Sequence, residues 1–182
     1  MSFRIAATIL AALLLSGCAT ARAADTAIGD GHIDVIYVDT PQPVVDAMLE
    51  LAQVRPGDVL YDLGSGDGRI NITAARRFGV RGVGIELDGD LIRQARANAR
   101  RAGVQDLVKF RRQDLFNADF SEASVVTLYL LPELNDRLLP KLLQLKPGAR
   151  IVSHAFPITG WPAEKEMTVD GSVLYRWTVP SR

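Results

Sequence analysis

Short, nearly continuous apolar runs recur along this chain, each followed by a stretch in which apolar residues return every three or four positions. Val59 to Leu63 is the first such run and predicts a strand buried on both faces, and Arg69 to Phe78 has the spacing of a helix. The alternation continues with a strand at Gly82 to Ile85, a helix at Leu91 to Ala102 and a strand at Val108 to Arg112. A strand at Val125 to Leu131, a helix at Glu133 to Leu145 and a strand at Ala149 to Phe156 follow. Upstream, Pro41 and Pro43 open a helix in which Val44, Val45, Met48, Leu49 and Ala52 share a face, closed by Pro56-Gly57.

The last segment departs from this rhythm. Glu164 to Val169 and Ser172 to Val179 are two extended runs joined by Asp170-Gly171, a pair that marks a tight antiparallel hairpin. The pattern therefore predicts an α/β fold, a doubly wound, mostly parallel seven-stranded sheet ending in an antiparallel hairpin.

Composition narrows the chemistry. Acidic and basic residues balance at 21 each in 182 residues, so no global charge points to nucleic acid. One cysteine, Cys18, and two histidines, His32 and His154, exclude an internal disulfide and a Cys/His zinc cluster, and no metal is expected. The length suits one domain, expected over residues 34–182.

Residues 1–24 are set apart as a leader and linker. The apolar run from Ile5 to Leu15 is too short to span a bilayer and has the size of a signal-peptide core. It ends in Leu15-Ser16-Gly17-Cys18, which resembles a bacterial lipobox, and lipidated Cys18 would tether the chain to a membrane. Ala21-Arg22-Ala23 offers an ordinary cleavage site instead. A misplaced start, leaving a cytoplasmic protein, and a buried N-terminal helix are the other readings.

Glycines at 64, 66 and 68 lie between the first strand and the following helix, where the backbone must turn sharply and leaves room for a ligand. Such a loop is a weak signal alone. It gains meaning from Asp62, Glu86 and Asp114, one acid at the end of each of three successive strands, which would line one crevice. A ligand matching that row offers an ammonium, ribose hydroxyls and an exocyclic amine, as S-adenosyl-L-methionine does. The plainer reading makes the acids helix caps and solvated strand ends. A dinucleotide enzyme also has a glycine loop and a later acid. Against it stand Arg69 at the sixth position, an acid two residues before the loop, and no room for a second domain.

From Tyr37 to Pro180 the chain resembles the class I, seven-strand methyltransferases with their Rossmann-like fold. Tyr37-Val38-Asp39-Thr40-Pro41, Asp62-Leu63-Gly64-Ser65-Gly66-Asp67-Gly68-Arg69-Ile70 and Val125-Val126-Thr127-Leu128-Tyr129-Leu130-Leu131-Pro132 together resemble the ATP synthase c-subunit lysine methyltransferase family and its bacterial relatives. The resemblance implies that Gly64, Ser65, Gly66 and Gly68 hold the methionine part of the cofactor and Asp62 its amino group. Glu86, followed by Leu87, would bind the ribose and Asp114, beside Gln113, the adenine amine. Tyr37 and Thr40 would close over the cofactor, or simply pack.

For the acceptor, the fourth strand offers Thr127 and Tyr129 as catalytic candidates. Tyr129 would orient an amine through its hydroxyl or ring, although a core aromatic is an equal reading. The Asn/Asp-Pro-Pro-Tyr motif of base methylation is absent. His154, Glu133 and Asn135 read as structural, and the basic series Arg93, Arg96, Arg100, Arg101, Lys109, Arg111 and Arg112 as a solvated face. The expectation is a monomeric methyltransferase acting on an amine, a protein lysine before a small molecule, with no nucleic-acid partner. The lipobox motivates an alternative, a non-catalytic envelope lipoprotein using the fold as a binding module.

Overall fold

The computed structural model describes residues 38–181. Its elements run α1 (Gln42–Leu51), β1 (Val59–Leu63), α2 (Arg69–Phe78), β2 (Arg81–Glu86), α3 (Gly89–Arg101), β3 (Val108–Arg112), β4 (Val125–Leu128), α4 (Pro132–Leu142), β5 (Arg150–His154), β6 (Lys165–Val169) and β7 (Ser172–Thr178). The leader with Cys18, and also His32 and Tyr37, lie outside the described residues.

All seven strands and all four helices anticipated from the pattern are present, with two informative differences in length. The fourth strand stops at Leu128, because Leu131 must serve as the N-cap of α4, where Pro132 supplies a ready-made φ at the first helical position. Tyr129 and Leu130 thereby leave the sheet. The fifth strand stops at His154, because Ala155 takes a positive φ of 64° and turns the chain away.

The sheet order is β3-β2-β1-β4-β5-β7-β6, parallel from β3 to β5. The hairpin is inserted with β7 against β5 and β6 on the edge, both pairings antiparallel. Asp170 and Gly171 both have positive φ, as a two-residue mirror-type turn requires.

Alternate residues of the central strands feed opposite layers. Leu60, Val125, Val152 and Leu174 pack with α1, whereas Tyr61, Leu63, Val126, Leu128, Ile151 and Trp177 pack with Leu134, Leu138 and Leu142 of α4. A third cluster joins α2 and α3 to Val108 and Phe110. Each fully buried leucine contributes about 1.5–3 kcal/mol, so these layers fix the strands, and hence the loops, in place.

The order reverses between β1 and β4. The chain winds outward from β1 to β3, then crosses to β4 and winds the other way, which opens a crevice at the carboxyl ends of β1 and β4.

At the opposite ends of the same strands lies a buried ion pair. Arg150 Nη2 meets Asp58 Oδ1 at 2.5 Å, Asp58 also accepts from the Ser124 hydroxyl and the Arg55 amide, and Arg150 donates to the Gln53 carbonyl. This network clamps the amino ends of β1, β4 and β5.

Candidate functional site

The crevice is built first from backbone. Gly64, Gly66 and Gly68 take φ of 86°, 50° and 82°, a run that side-chain-bearing residues rarely adopt. A Cβ at Gly64 would stand 3.0 Å from Leu130 Cδ2, and one at Gly68 would meet the Phe110 ring at 2.5 Å. The loop is thus bare on its open side and tightly backed on the other.

The three expected acids stand at the carboxyl ends of the neighbouring strands β1, β2 and β3. Asp62 and Thr127 are register partners across β1 and β4, at the switch point, and the Thr127 hydroxyl donates to Asp62 Oδ1 at 2.7 Å. Glu86 Oε2 accepts the Gly66 amide at 2.9 Å, and its Oε1 accepts the amides of Leu87 and Asp88. Asp114 accepts from the Phe116 amide and the Asn117 side chain. The backbone amide of Gln113 donates to the Glu86 carbonyl, which ties the third acid's segment to the second. Glu86 and Asp114 thus brace the turns that follow β2 and β3, whereas the N-cap of α3 is Asp88. A carboxylate has about four acceptor positions, so Glu86 retains one and Asp114 two.

Asp62 is different. It is 2% exposed, and its recorded side-chain hydrogen bond comes from Thr127. Burial pushes its carboxyl up to about 7; the Thr127 hydroxyl pulls the other way, and the charges of Glu86 and Asp67 add to the rise. A carboxyl so placed is completed by a cationic ligand. Ser65 Oγ is also buried and has no hydrogen-bond partner among the described residues. Bare loop, buried acid and spare acceptors fit the ammonium and hydroxyls of the expected cofactor.

Thr127 itself is fully buried and committed to Asp62. It was expected to meet an acceptor; in the structure its hydroxyl supports Asp62. Leu87, 44% exposed, contributes backbone to the Glu86 turn.

The second half of the crevice is made of rings. Tyr129 packs on His154 with ring centroids 3.9 Å apart and on Phe156 at 6.4 Å. His154 is buried at the end of β5, where burial lowers its pKa and so favours the neutral ring, and its Nδ1 lies 3.3 Å from Thr40 Oγ1. Arg69 joins the two halves, since its guanidinium donates to the Asp67 carboxylate, to Asp39 and to the Thr40 carbonyl. His154 is the residue that sequence reasoning set aside. Its one sequence signal was its place at the carboxyl end of a strand adjoining β4. Asn135, read as a helix-capping residue, is fully buried and donates to the Phe156 carbonyl.

Known proteins resemble this arrangement. A family model described as the ANTKMT methyltransferase domain matches residues 62–165. A protein-lysine N-methyltransferase of Saccharolobus islandicus is 49% identical over 76% of this chain and 88% of its own length. The mouse adenine nucleotide translocase lysine N-methyltransferase is 39% identical over 71% of this chain. This chain spans 57% of that relative's length. Among solved structures, an RNA methyltransferase from Salinibacter ruber in complex with S-adenosyl-L-homocysteine is 60% identical. It covers 80% of this chain and 95% of its own, with a TM-score of 0.78.

Proposed function

Because the chain belongs to the ANTKMT methyltransferase domain family, and is an S-adenosyl-L-methionine-dependent methyltransferase, we propose that its acceptor is the side-chain amine of a protein lysine. The observation that carries this reading is the neutral ring wall of Tyr129, His154 and Phe156 beside the acid-lined loop. An amine entering beside these rings leaves water, and that desolvation favours its neutral, nucleophilic form. The lysine-directed relatives support the same acceptor.

When bound, the cofactor supplies an activated methyl group that passes to nitrogen while its bonding electrons stay on sulfur. The chain's work is placement. Ionised Asp62, held by Thr127, would receive the cofactor's ammonium, and the spare acceptor positions of Glu86 and Asp114 would receive its hydroxyl and amine donors. The faces of Tyr129 and His154 orient the acceptor amine, and its proton leaves to water. Arg69, through Thr40, keeps the two halves at a fixed separation.

One observation favours a second acceptor class, namely the description of the Salinibacter structure as an RNA methyltransferase. Tritium-labelled methyl transfer into lysates decides between them. Label removed by protease and recovered as methyl-lysine is the expected result. Label removed by nuclease would replace lysine with RNA, and no incorporation at all would sink both. The family membership weighs against a non-catalytic module.

We also propose that residues 1–24 form a leader and linker lipidated at Cys18. Lipidation at Cys18, blocked by globomycin, is the outcome this requires; an unprocessed cytoplasmic chain would remove the tether.

A further inference from the structure

Beyond His154 the chain forms a loop, residues 155–164, that is pinned on its inner side. The Trp177 indole N–H donates to the Trp161 carbonyl at 2.6 Å, the Thr159 amide donates to Asp136 Oδ1 at 2.7 Å, and Asn135 holds the Phe156 carbonyl at 3.1 Å. Ile158 is buried in the α4-side core. Between this fixed loop and the β6–β7 hairpin lies a cavity of about 410 Å³ whose walls include Pro157, Trp161, Pro162, Glu166 and Tyr175.

Its chemistry is specific. Trp161 and Tyr175 each lie 6.1 Å from the buried Trp177 ring, so both are braced while part of each stays open. Glu166 stands opposite Tyr175 in the antiparallel register, is exposed, and has no ion-pair partner among the described residues. It is the one charged residue of the lining. Two ring faces, two prolines and a single carboxylate suit a basic side chain, whose aliphatic stem lies on the rings while its head reaches the acid. The carboxylate repels a phosphate backbone, which favours a peptide over RNA.

Position relates the groove to the reaction. It begins one residue after Phe156, whose ring stacks with Tyr129, and Tyr175 pairs with Ser153, the neighbour of His154. We infer that this groove docks the stretch of a protein acceptor flanking the target lysine and holds a second basic residue of that stretch against Trp161, Tyr175 and Glu166. The inference rests on the lysine reading above.

The test uses the full chain and synthetic peptides with one central lysine in a Gly/Ser background, an arginine being walked through the flanking positions. Labelled methyl incorporation is expected to rise about five-fold in kcat/KM at one or two offsets, through KM, as a contact of cation–π strength implies. Glu166→Gln and Trp161→Ala should abolish that preference while leaving cofactor affinity unchanged by calorimetry. Equal rates at all offsets, or a preference that survives both substitutions, would overturn it.

A second readout needs no turnover. Titrating the arginine peptide should quench tryptophan emission saturably in the wild type and far more weakly in Glu166→Gln. If no peptide is methylated, the lysine reading fails, yet this titration still judges the groove. Absence of quenching, or equal quenching by poly(U) RNA, would refute it.

Discussion

Strand β1 carries a buried acid at each end, and the two behave in opposite ways. Asp58, just before the strand and 7% exposed, has its carboxyl lowered: burial would raise it, but Ser124, the Arg55 amide and Arg150 together outweigh that. Asp62, inside the strand's far end and 2% exposed, sits at about 7. They are four residues apart, one just before the strand and one within it. The difference is that the fold supplies Asp58 with a cation and, among the described residues, none to Asp62. A buried carboxyl whose counter-charge is missing marks the place where a cationic ligand completes the structure.

The largest effect that would test this contrast is at the amino end. Arg150→Met removes the cation and leaves Asp58 buried and unpaired, which is expected to lower unfolding free energy by about 3–5 kcal/mol in urea titrations. Asp62→Asn should do the reverse at about pH 8, leaving stability unchanged or higher. The signs follow from linkage. Asp58 stabilises above its ordinary carboxylate range, and that contribution is lost as pH falls through its lowered folded value. Asp62 titrates above its unfolded value, so it weakens the ligand-free fold as pH rises from about 4 towards 7. If Asp62→Asn destabilises as strongly as Arg150→Met, the two ends do not differ in kind.

Next in size is ligand affinity. A charge-assisted hydrogen bond contributes about 1.5–3 kcal/mol, so Asp62→Asn should weaken S-adenosyl-L-methionine binding roughly ten- to a hundred-fold by calorimetry. In the wild type, affinity should climb between about pH 5.5 and 7.5 as Asp62 ionises, and this slope should vanish in Asp62→Asn. His154→Phe sharpens the same comparison from the other half of the crevice, with cofactor affinity expected within about two-fold of wild type and kcat reduced. A pH slope that persists in Asp62→Asn would transfer the role to another acid.

These two halves also differ in how far they could be read from sequence. The glycine loop and its acids are local: Asp62, Gly64, Gly66 and Gly68 lie within seven residues, and Glu86 and Asp114 fall at strand ends that hydrophobic patterning locates. The ring wall is not local. Thr40 and His154 are 114 residues apart, and the inserted β7 makes Ser153 a neighbour of Tyr175, which periodicity cannot announce. Thr127 could be singled out from the sequence, but its hydrogen bond to Asp62 could not, since that depends on the β1–β4 register. The Asp58–Arg150 clamp, 92 residues apart, escaped for the same reason.

The smallest expected effect separates the two things Tyr129 can offer. Its hydroxyl has no hydrogen-bond partner among the described residues, whereas its ring packs against those of His154 and Phe156. If the ring is what places the amine, Tyr129→Phe should keep kcat/KM within about two- to three-fold. Tyr129→Leu, which loses ring contacts worth about 0.5–1.5 kcal/mol beyond burial, should lower it up to about ten-fold. Cofactor affinity should hold in both, because neither touches the Asp62 half. Equal losses in Phe and Leu would instead assign the work to the hydroxyl, and would make the ring wall a scaffold for one oxygen rather than the surface that receives the amine.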